Sequence, residues 1–204
     1  MLLLRLALAA LAAYLLGSIP TGVLIARLFG WPDPRRHGSG HTGALNTLRG
    51  AGLPGGALVL LLDAAKGAGA VLLAGLIAPT PWAVPLAGMA TTAGHIWPVW
   101  LDFEGGMGLA TGSGAIAVYY PLAVLIGLAL FGLARAFLAR HRPRAVVAAA
   151  LTLPPVLFAL GLSPPVFWLG TGIALIVALR HLSEWNAGGG MIGTAEEAME
   201  SASG

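Results

Sequence analysis

The sequence predicts an all-α membrane protein, a polytopic bundle of seven transmembrane helices with its N-terminus outside and its C-terminus in the cytoplasm. Only 9% of the 204 residues are charged, whereas soluble domains carry about 25%. The hydrophobic fraction is 57% and the mean hydropathy is +0.85. The chain has no cysteine, which excludes disulfides, thiolate metal ligands and a cysteine nucleophile.

Seven apolar runs are candidates for membrane crossings, which need roughly 20 residues each. They lie at 2–29, 52–77, 81–100, 106–119, 120–139, 145–161 and 164–181. The first run is longer than the roughly 7–15 apolar residues of a signal peptide, so we interpret it as a retained helix. The sequence "YYP" at 119–121 predicts a turn between the fourth and fifth crossings. The sequences "LPPV" around 154 and "LSPP" around 164 predict another short turn between them; alternatively, Pro154 and Pro155 kink the sixth helix.

The basic residues set the predicted orientation, because cytoplasmic loops carry an excess of Lys and Arg. With seven crossings, nine arginines fall on one side: Arg27, Arg35, Arg36, Arg49, Arg135, Arg140, Arg142, Arg144 and Arg180. Arg5 falls on the other side and Lys66 lies within a crossing. A six-helix alternative breaks this sorting. We therefore expect one transmembrane domain over 1–182 in the cytoplasmic (inner) membrane and a flexible cytoplasmic tail over 183–204.

The first cytoplasmic loop, "RRHGSGHTGALNTLRG" at 35–50, contains the spacing G-x-G-x-x-G. The three glycines are Gly38, Gly40 and Gly43. A dinucleotide site needs this motif between a strand and a helix, and here a membrane helix precedes it, so that interpretation fails. Glycines instead let backbone N–H groups approach an anion. A Ser39 hydroxyl, an Asn46 amide and a bidentate Arg49 contact would complete a phosphate site, whereas Arg35 and Arg36 are equally explained by the orientation rule.

A second glycine turn lies in "GHIWPVWLDFEGGMGLATG" at 94–112. Gly105, Gly106 and Gly108 precede a helix whose N-terminus would attract phosphate, and Thr111 adds a hydroxyl. The lysine of a Walker A loop is absent. His95 is a candidate ligand or, alternatively, a hydrogen-bonded histidine within the bundle. We predict no metal and no cofactor.

Asp63 and Lys66 are three residues apart in the second crossing, on one helix face. Ionisable residues at membrane depth are expensive to bury and are therefore candidates for function. The alternative is a mutual ion pair that neutralises both charges.

Together these motifs resemble the bacterial acyl-phosphate-dependent glycerol-3-phosphate acyltransferases. The resemblance rests on "GSIPTG", "DPRRHGSGHTGALNTLRGAG", "LLLDAAKG", "AGHIWPVWLDFEGGMGLATG" and "LRH". It implies seven crossings, a membrane lipid environment, no nucleic acid, and acyl transfer from acyl phosphate to the 1-hydroxyl of glycerol 3-phosphate. The products would be lysophosphatidic acid and phosphate, with a functional link to an enzyme that makes acyl phosphate. It also implies roles for Ser39, Arg49 and His181 in catalysis and for Asn46 and Lys66 in binding.

The chain departs from the family pattern at several positions. His41 and Glu184 stand where the family has asparagines, Leu45 replaces a threonine, and Glu104 and Met107 replace two lysines of the second loop. The lysine losses weaken phosphate recognition there. They leave three outcomes open: an active enzyme that relies on Arg49, Lys66 and Arg180, a paralogue with a less anionic acyl acceptor, or a non-catalytic lipid-binding or regulatory membrane protein. A transporter is a weaker alternative. The sequence favours the acyltransferase.

Overall fold

The computed structural model describes residues 1–138 and 141–185, and these residues form helices joined by short loops. The α-helices are α1 (Leu2–Ser18), α2 (Thr21–Phe29), α3 (Ala44–Ile77), α4 (Ala83–Ile96), α5 (Leu109–Ala117), α6 (Pro121–Phe137), α7 (Arg142–Ala159) and α8 (Pro164–Leu182). Two short 3₁₀ turns, Pro34–Arg36 and Val99–Leu101, lie in the loops after α2 and α4. The predicted all-α architecture is confirmed.

Within the described residues, three helical segments are long and apolar enough to cross a bilayer, namely 2–29, 44–77 and 164–182. The apolar helix α6 is shorter. Every one of the seven predicted runs contains a helix, and the turn at 119–120 separates α5 from α6 as expected. The number of crossings and the orientation remain predictions. Most of the predicted tail, residues 186–204, lies outside the described residues.

The first predicted helix is divided in the structure, which corrects the sequence interpretation. Its two parts, α1 and α2, meet at Ile19 and Pro20. Because proline has no N–H and disfavours helical geometry in the residue before it, the helical hydrogen bonds stop at this point. The carbonyl of Ile19 accepts hydrogen bonds from the Thr21 N–H at 3.0 Å and from the Lys66 ammonium at 3.1 Å, so a buried charge contributes a hydrogen bond at the break.

The second predicted helix begins eight residues earlier than expected, at Ala44 instead of 52. Gly52 interrupts it with φ 68° and ψ −171°, a kink that only glycine adopts readily. In the sequence, Gly52 and Pro54 predict the start of a helix, although the helix continues on both sides of them. Asn46 and Arg49, predicted in the loop, therefore lie on the first turns of α3.

Small residues bring the helices close together around the site. A Cβ at Gly17 would lie 2.1 Å from the Thr91 carbonyl oxygen, and one at Gly67 would lie 2.0 Å from that of Thr111. These contacts join α1 to α4 and α3 to α5, as glycine does in membrane helix packing. In α7, Pro154 and Pro155 lie inside the helix. The turn lies after Ala159 and before Pro164, between the two proline-rich sequences as predicted.

Candidate functional site

Loop one, residues 30–43 between α2 and α3, is organised by the side chain of Asn46. Its amide nitrogen donates to the carbonyls of Pro34, His37 and His41, the last two at 3.1 and 3.0 Å. Its amide oxygen accepts the N–H of Ser39 at 3.1 Å. Asn46 is buried and its polar atoms are engaged by the loop. Its role in the structure is therefore to fix the backbone that carries Ser39.

The glycines of loop one allow this close wrapping. Gly38 has φ +57°, and a Cβ there would lie 2.2 Å from the Asn46 amide oxygen. Gly40 has φ +73°, and Gly43 is the N-cap of α3. Positive φ at the first two positions disfavours any other residue. The glycine motif thus shapes the loop around Asn46.

Asp33 and Arg35 form a local pair at the start of loop one. The carboxylate accepts the backbone N–H of Arg35 at 3.0 Å and contacts its Nη2 at 2.6 Å. These bonds to Arg35 lower the pKa of Asp33 to about 2. The guanidinium of Arg35 is directed to this carboxylate, in line with the alternative that Arg35 serves the loop and the orientation rule.

Asp63 is the centre of a buried polar cluster that joins three helices. Its Oδ1 lies 3.0 Å from Lys66 Nζ and 3.4 Å from His95 Nδ1, and it also accepts the Thr21 hydroxyl. Asp63 is 1% exposed, and the adjacent ammonium offsets the cost of burying its charge. The predicted ion pair is confirmed. Within the described residues, Asp63 Oδ2 has no hydrogen-bond partner.

Loop two, residues 97–108 between α4 and α5, folds back onto the end of α4. The N–H groups of Gly105 and Gly106 donate to the carbonyls of Ile96 and His95 at 3.1 and 3.0 Å. A Cβ at Gly106 would lie 2.1 Å from His95 Nε2. These two N–H groups are occupied, so the loop does not present them to an anion as the sequence analysis expected. Gly108, with φ +81°, is the N-cap of α5.

Loops one and two meet at a cavity of about 340 Å³. Most of its accessible wall is apolar, but its lining includes the side chains of Ser39, His41, Asn46, Arg49, Asp63 and His95, and for these groups we call it the polar cavity. Six of the predicted site residues line it: Ser39, Gly43, Asn46, Arg49, His95 and Gly108. Ser39 and Arg49 are exposed, so their polar groups are accessible to a ligand. The other predicted site residues lie outside the lining: Gly38, Gly40, Lys66, Gly105, Gly106, Thr111 and His181.

Several lining residues were not predicted as site residues. They are His41, Ala44, Leu45, Leu60, Asp63, Met107, Leu109 and Ala110. Asp63 carried a signal as an ionisable residue at membrane depth. The apolar lining residues carry no such signal, because most apolar residues of this chain belong to membrane helices and do not stand out in the sequence. Met107 lines the cavity and is half-buried, whereas Glu104 is exposed and lies outside the lining.

The C-terminal end of α8 closes one side of the loops. Arg180 Nε donates to the Gly106 carbonyl at 3.4 Å, and Glu184 lies 4.0 Å from Arg180 Nη1 and 3.4 Å from His41 Nε2. The ring of His181 is buried, with Nδ1 2.8 Å from the Val177 carbonyl of its own helix. The structure therefore places His181 behind the loops and not at the cavity wall.

A second cavity, of about 200 Å³, lies between α5, α6, α7 and α8. Its walls are almost entirely apolar and include Ile116, Phe131, Leu153 and Ile173. Leu109 lines both cavities. A cavity with an accessible arginine in its lining thus shares Leu109 with a cavity whose side chains suit a hydrocarbon chain.

The fold and these two compartments define a helical membrane protein of the lipid-modifying class. The family model for Glycerol-3-phosphate acyltransferase matches residues 7–187. The chain belongs to the glycerol-3-phosphate acyltransferase family, and it is a membrane acyltransferase.

Relatives and solved structures agree with this assignment. The Glycerol-3-phosphate acyltransferase of Anaeromyxobacter dehalogenans (strain 2CP-C) is 42% identical over 175 residues, covering 83% of this chain and 87% of the relative. The protein of that name from Synechococcus sp. (strain CC9902) is 44% identical, with coverage of 83% and 84%. The crystal structure of PlsY (YgiH), an integral membrane glycerol 3-phosphate acyltransferase, in its glycerol 3-phosphate form has a TM-score of 0.74 and 33% identity, covering 89% of this chain and 90% of that one.

Proposed function

We propose that this protein transfers a fatty acyl group from acyl phosphate to the 1-hydroxyl of glycerol 3-phosphate, giving lysophosphatidic acid and inorganic phosphate. The observation that carries the proposal is the junction at Leu109 between a polar cavity with Ser39 and Arg49 and an apolar cavity. PlsY has been solved in a glycerol 3-phosphate form and in a lysophosphatidic acid form. A substrate and a product of this chemistry both combine an anionic head with a glycerol backbone.

The polar cavity would hold the phosphate groups. Arg49 can bind a phosphate through two parallel N–H···O bonds, and the hydroxyl of Ser39 can donate a third. Asn46 holds the Ser39 backbone, so this hydroxyl is positioned before substrate binds. His95 and Asp63 also line this cavity, and either side chain would serve as the acceptor for a substrate hydroxyl.

The apolar cavity would hold the acyl chain. Burying each methylene group contributes about 0.8 kcal/mol, so the chain can anchor the donor while its phosphate lies beyond Leu109. This arrangement brings the acyl carbonyl to the boundary between the compartments. The hydroxyl of glycerol 3-phosphate would meet it there.

The transfer needs little covalent participation by the protein. The substrate hydroxyl oxygen forms an ester bond to the acyl carbon, the bond from that carbon to the phosphate oxygen breaks, and the hydroxyl proton leaves with the departing phosphate. Catalysis then depends on positioning and on stabilising the developing negative charge. We assign direct contacts to Ser39 and Arg49, and supporting roles to Lys66, Thr111 and His181, which lie outside the cavity lining.

We further propose seven crossings, an outside N-terminus and cytoplasmic loops in the inner membrane. The support is the distribution of arginines, with Arg35, Arg36 and Arg49 in or beside loop one and Arg142 and Arg144 at the start of α7. Acyl phosphate would then reach the site from the cytoplasmic side, supplied by an enzyme that makes it. Single cysteines placed at 5 and 142 of this cysteine-free chain test the topology through their labelling by an impermeant thiol reagent in sealed vesicles.

The direct test of the function uses the purified full-length protein in lipid nanodiscs, with palmitoyl phosphate and radiolabelled glycerol 3-phosphate. Lysophosphatidic acid is the expected product. Ser39→Ala and Arg49→Ala should each reduce turnover by at least about 100-fold, as loss of one charge-stabilising donor does in other acyl-transfer sites. Arg142→Gln, which removes an exposed charge at the start of α7, serves as the control and should retain full turnover.

Two outcomes would contradict the proposal. One is the absence of lysophosphatidic acid while palmitoyl phosphate is bound or hydrolysed, because the acceptor would then be a different molecule. The other is acylation that survives both the Ser39 and the Arg49 substitutions, because the polar cavity would then not be the reaction site.

A further inference from the structure

One contact between a histidine and a carboxylate joins loop one to the end of α8. His41 Nε2 lies 3.4 Å from Glu184 Oε1, and the two side chains are 17% and 28% exposed. Water and salt screen such a half-buried contact less than a pair on the open surface. The contact also lies beside the site, because His41 lines the polar cavity.

The same carboxylate continues the connection to loop two. Glu184 Oε1 is 4.0 Å from Arg180 Nη1, and Arg180 Nε donates to the Gly106 carbonyl at 3.4 Å. The contacts therefore run from His41 through Glu184 and Arg180 to Gly106. They link α8 to loops one and two, and both of these loops contribute residues to the lining of the polar cavity.

Loop two needs a cation from elsewhere to attract an anionic substrate. Residues 97–108 contain Asp102 and Glu104 but neither lysine nor arginine. Arg180 is the cation that hydrogen-bonds to this loop in the described part of the chain. A free Glu184 carboxylate at the same place would repel a phosphate, and the nearby Arg180 guanidinium offsets that charge.

We propose that the His41–Glu184 pair is a positioning element that fixes Arg180 beside loop two and sets the separation of the two loops for binding of the phosphate substrate. The inference rests on the proposed function, since the phosphate of glycerol 3-phosphate is the ligand whose binding the pair controls. Neither residue is assigned a chemical step. The pair acts through the placement of Arg180 and of loop one.

The charges around His41 determine the pH range in which the pair operates. Burial and the nearby Arg180 charge lower the pKa of His41, whereas Glu184 acts in the opposite direction. His181, which follows Arg180 at the end of α8, is a further titratable group near His41. The folded protein thus favours neutral His41. This preference is fully present above the ordinary histidine pKa of about 6.5 and is lost as the pH falls through the lower folded value.

The experiment compares Glu184→Gln, His41→Gln and the exchanged double variant His41→Glu/Glu184→His in the nanodisc-embedded protein. Each single variant should raise the KM for glycerol 3-phosphate by about 3–10-fold, which corresponds to a partly buried charge contact, with kcat within about twofold. The exchanged pair should recover most of the loss. Arg142→Gln is the matched control for removal of a charge and should leave KM unchanged.

A second readout does not depend on turnover. In protein with isotope-labelled histidine, the NMR titration of His41 should move to lower pH in Glu184→Gln and stay in place in Arg142→Gln. An unmoved titration overturns the contact itself. A moved titration with unchanged KM overturns the positioning role.

These readouts separate the two proposals. Wild-type protein that forms no lysophosphatidic acid would reject the proposed function. The pair would then be judged by binding of inorganic phosphate, whose dissociation constant should rise by the same 3–10-fold in both single variants. Equal phosphate binding in the wild type and these variants would reject the pair as a positioning element.

Discussion

Replacing Met107 by lysine should strengthen binding of the phosphate substrate. Met107 lines the polar cavity that also contains Arg49, and it is half-buried. An ammonium at this position can donate a charge-assisted hydrogen bond, worth about 1.5–3 kcal/mol. Because the site is partly open to water, we take the lower end, about 1.5 kcal/mol, which corresponds to roughly a tenfold lower KM for glycerol 3-phosphate.

Glu104→Lys tests the same reasoning at a position outside the cavity, where an added charge should have little effect. The Glu104 side chain is exposed and outside the cavity lining, so screening by salt should limit its effect to less than about threefold. Met107→Leu controls for side-chain shape and should leave KM unchanged. The assay measures initial rates of lysophosphatidic acid formation at several glycerol 3-phosphate concentrations and at two ionic strengths.

A gain from Glu104→Lys that equals or exceeds that from Met107→Lys would refute this assignment of the two positions. An equal gain from Met107→Leu would show that the added charge is not the cause. The tenfold effect should also shrink at the higher ionic strength, because it originates in charge.

Three further predictions concern stability and loop order. Gly67→Ala places a methyl group against the α5 backbone, 2.0 Å from a carbonyl oxygen, and should lower the melting temperature in detergent. Gly75→Ala on the same helix is the control: its methyl group meets nothing within 4 Å, so the melting temperature should stay unchanged. Asn46→Ala removes four loop contacts and should speed tryptic cleavage at the arginine pair of loop one; an unchanged rate would contradict the assigned role. Asp63→Asn leaves the Lys66 ammonium unpaired and should cost about 3–5 kcal/mol, and adding Lys66→Met should return most of that stability.

The sequence predicted the helical segments well because the bilayer imposes one simple rule on them. A crossing needs a long apolar run, and every predicted run contains a helix in the structure. The boundaries were harder to predict where glycine and proline interrupt a run. Pro20 divides the first helix, whereas Gly52 and Pro54 only kink α3, and the difference depends on which tertiary partners satisfy the backbone.

The sequence predicted which residues line the polar cavity better than it predicted what each of them does. Ser39 and Arg49 line the polar cavity as expected, because hydroxyl and guanidinium groups next to glycines indicate anion binding. Asn46 instead holds the loop, and the N–H groups of Gly105 and Gly106 are bound to α4 carbonyls. Such hydrogen bonds depend on how each loop folds back on the adjacent helix, so residue type alone does not reveal them.

The Asp63–Lys66 pair has a consequence for biosynthesis. Each charged residue near the centre of a membrane helix costs about 2.5–3.5 kcal/mol on insertion scales. Because the two residues are one turn apart in α3 and 3.0 Å from each other, this helix carries its own counterion. We expect α3 to partition from the translocon into lipid as a neutral unit before α4 is synthesised. His95 then docks onto a carboxylate that is already in place, so α3 would serve as the template on which the later helices assemble.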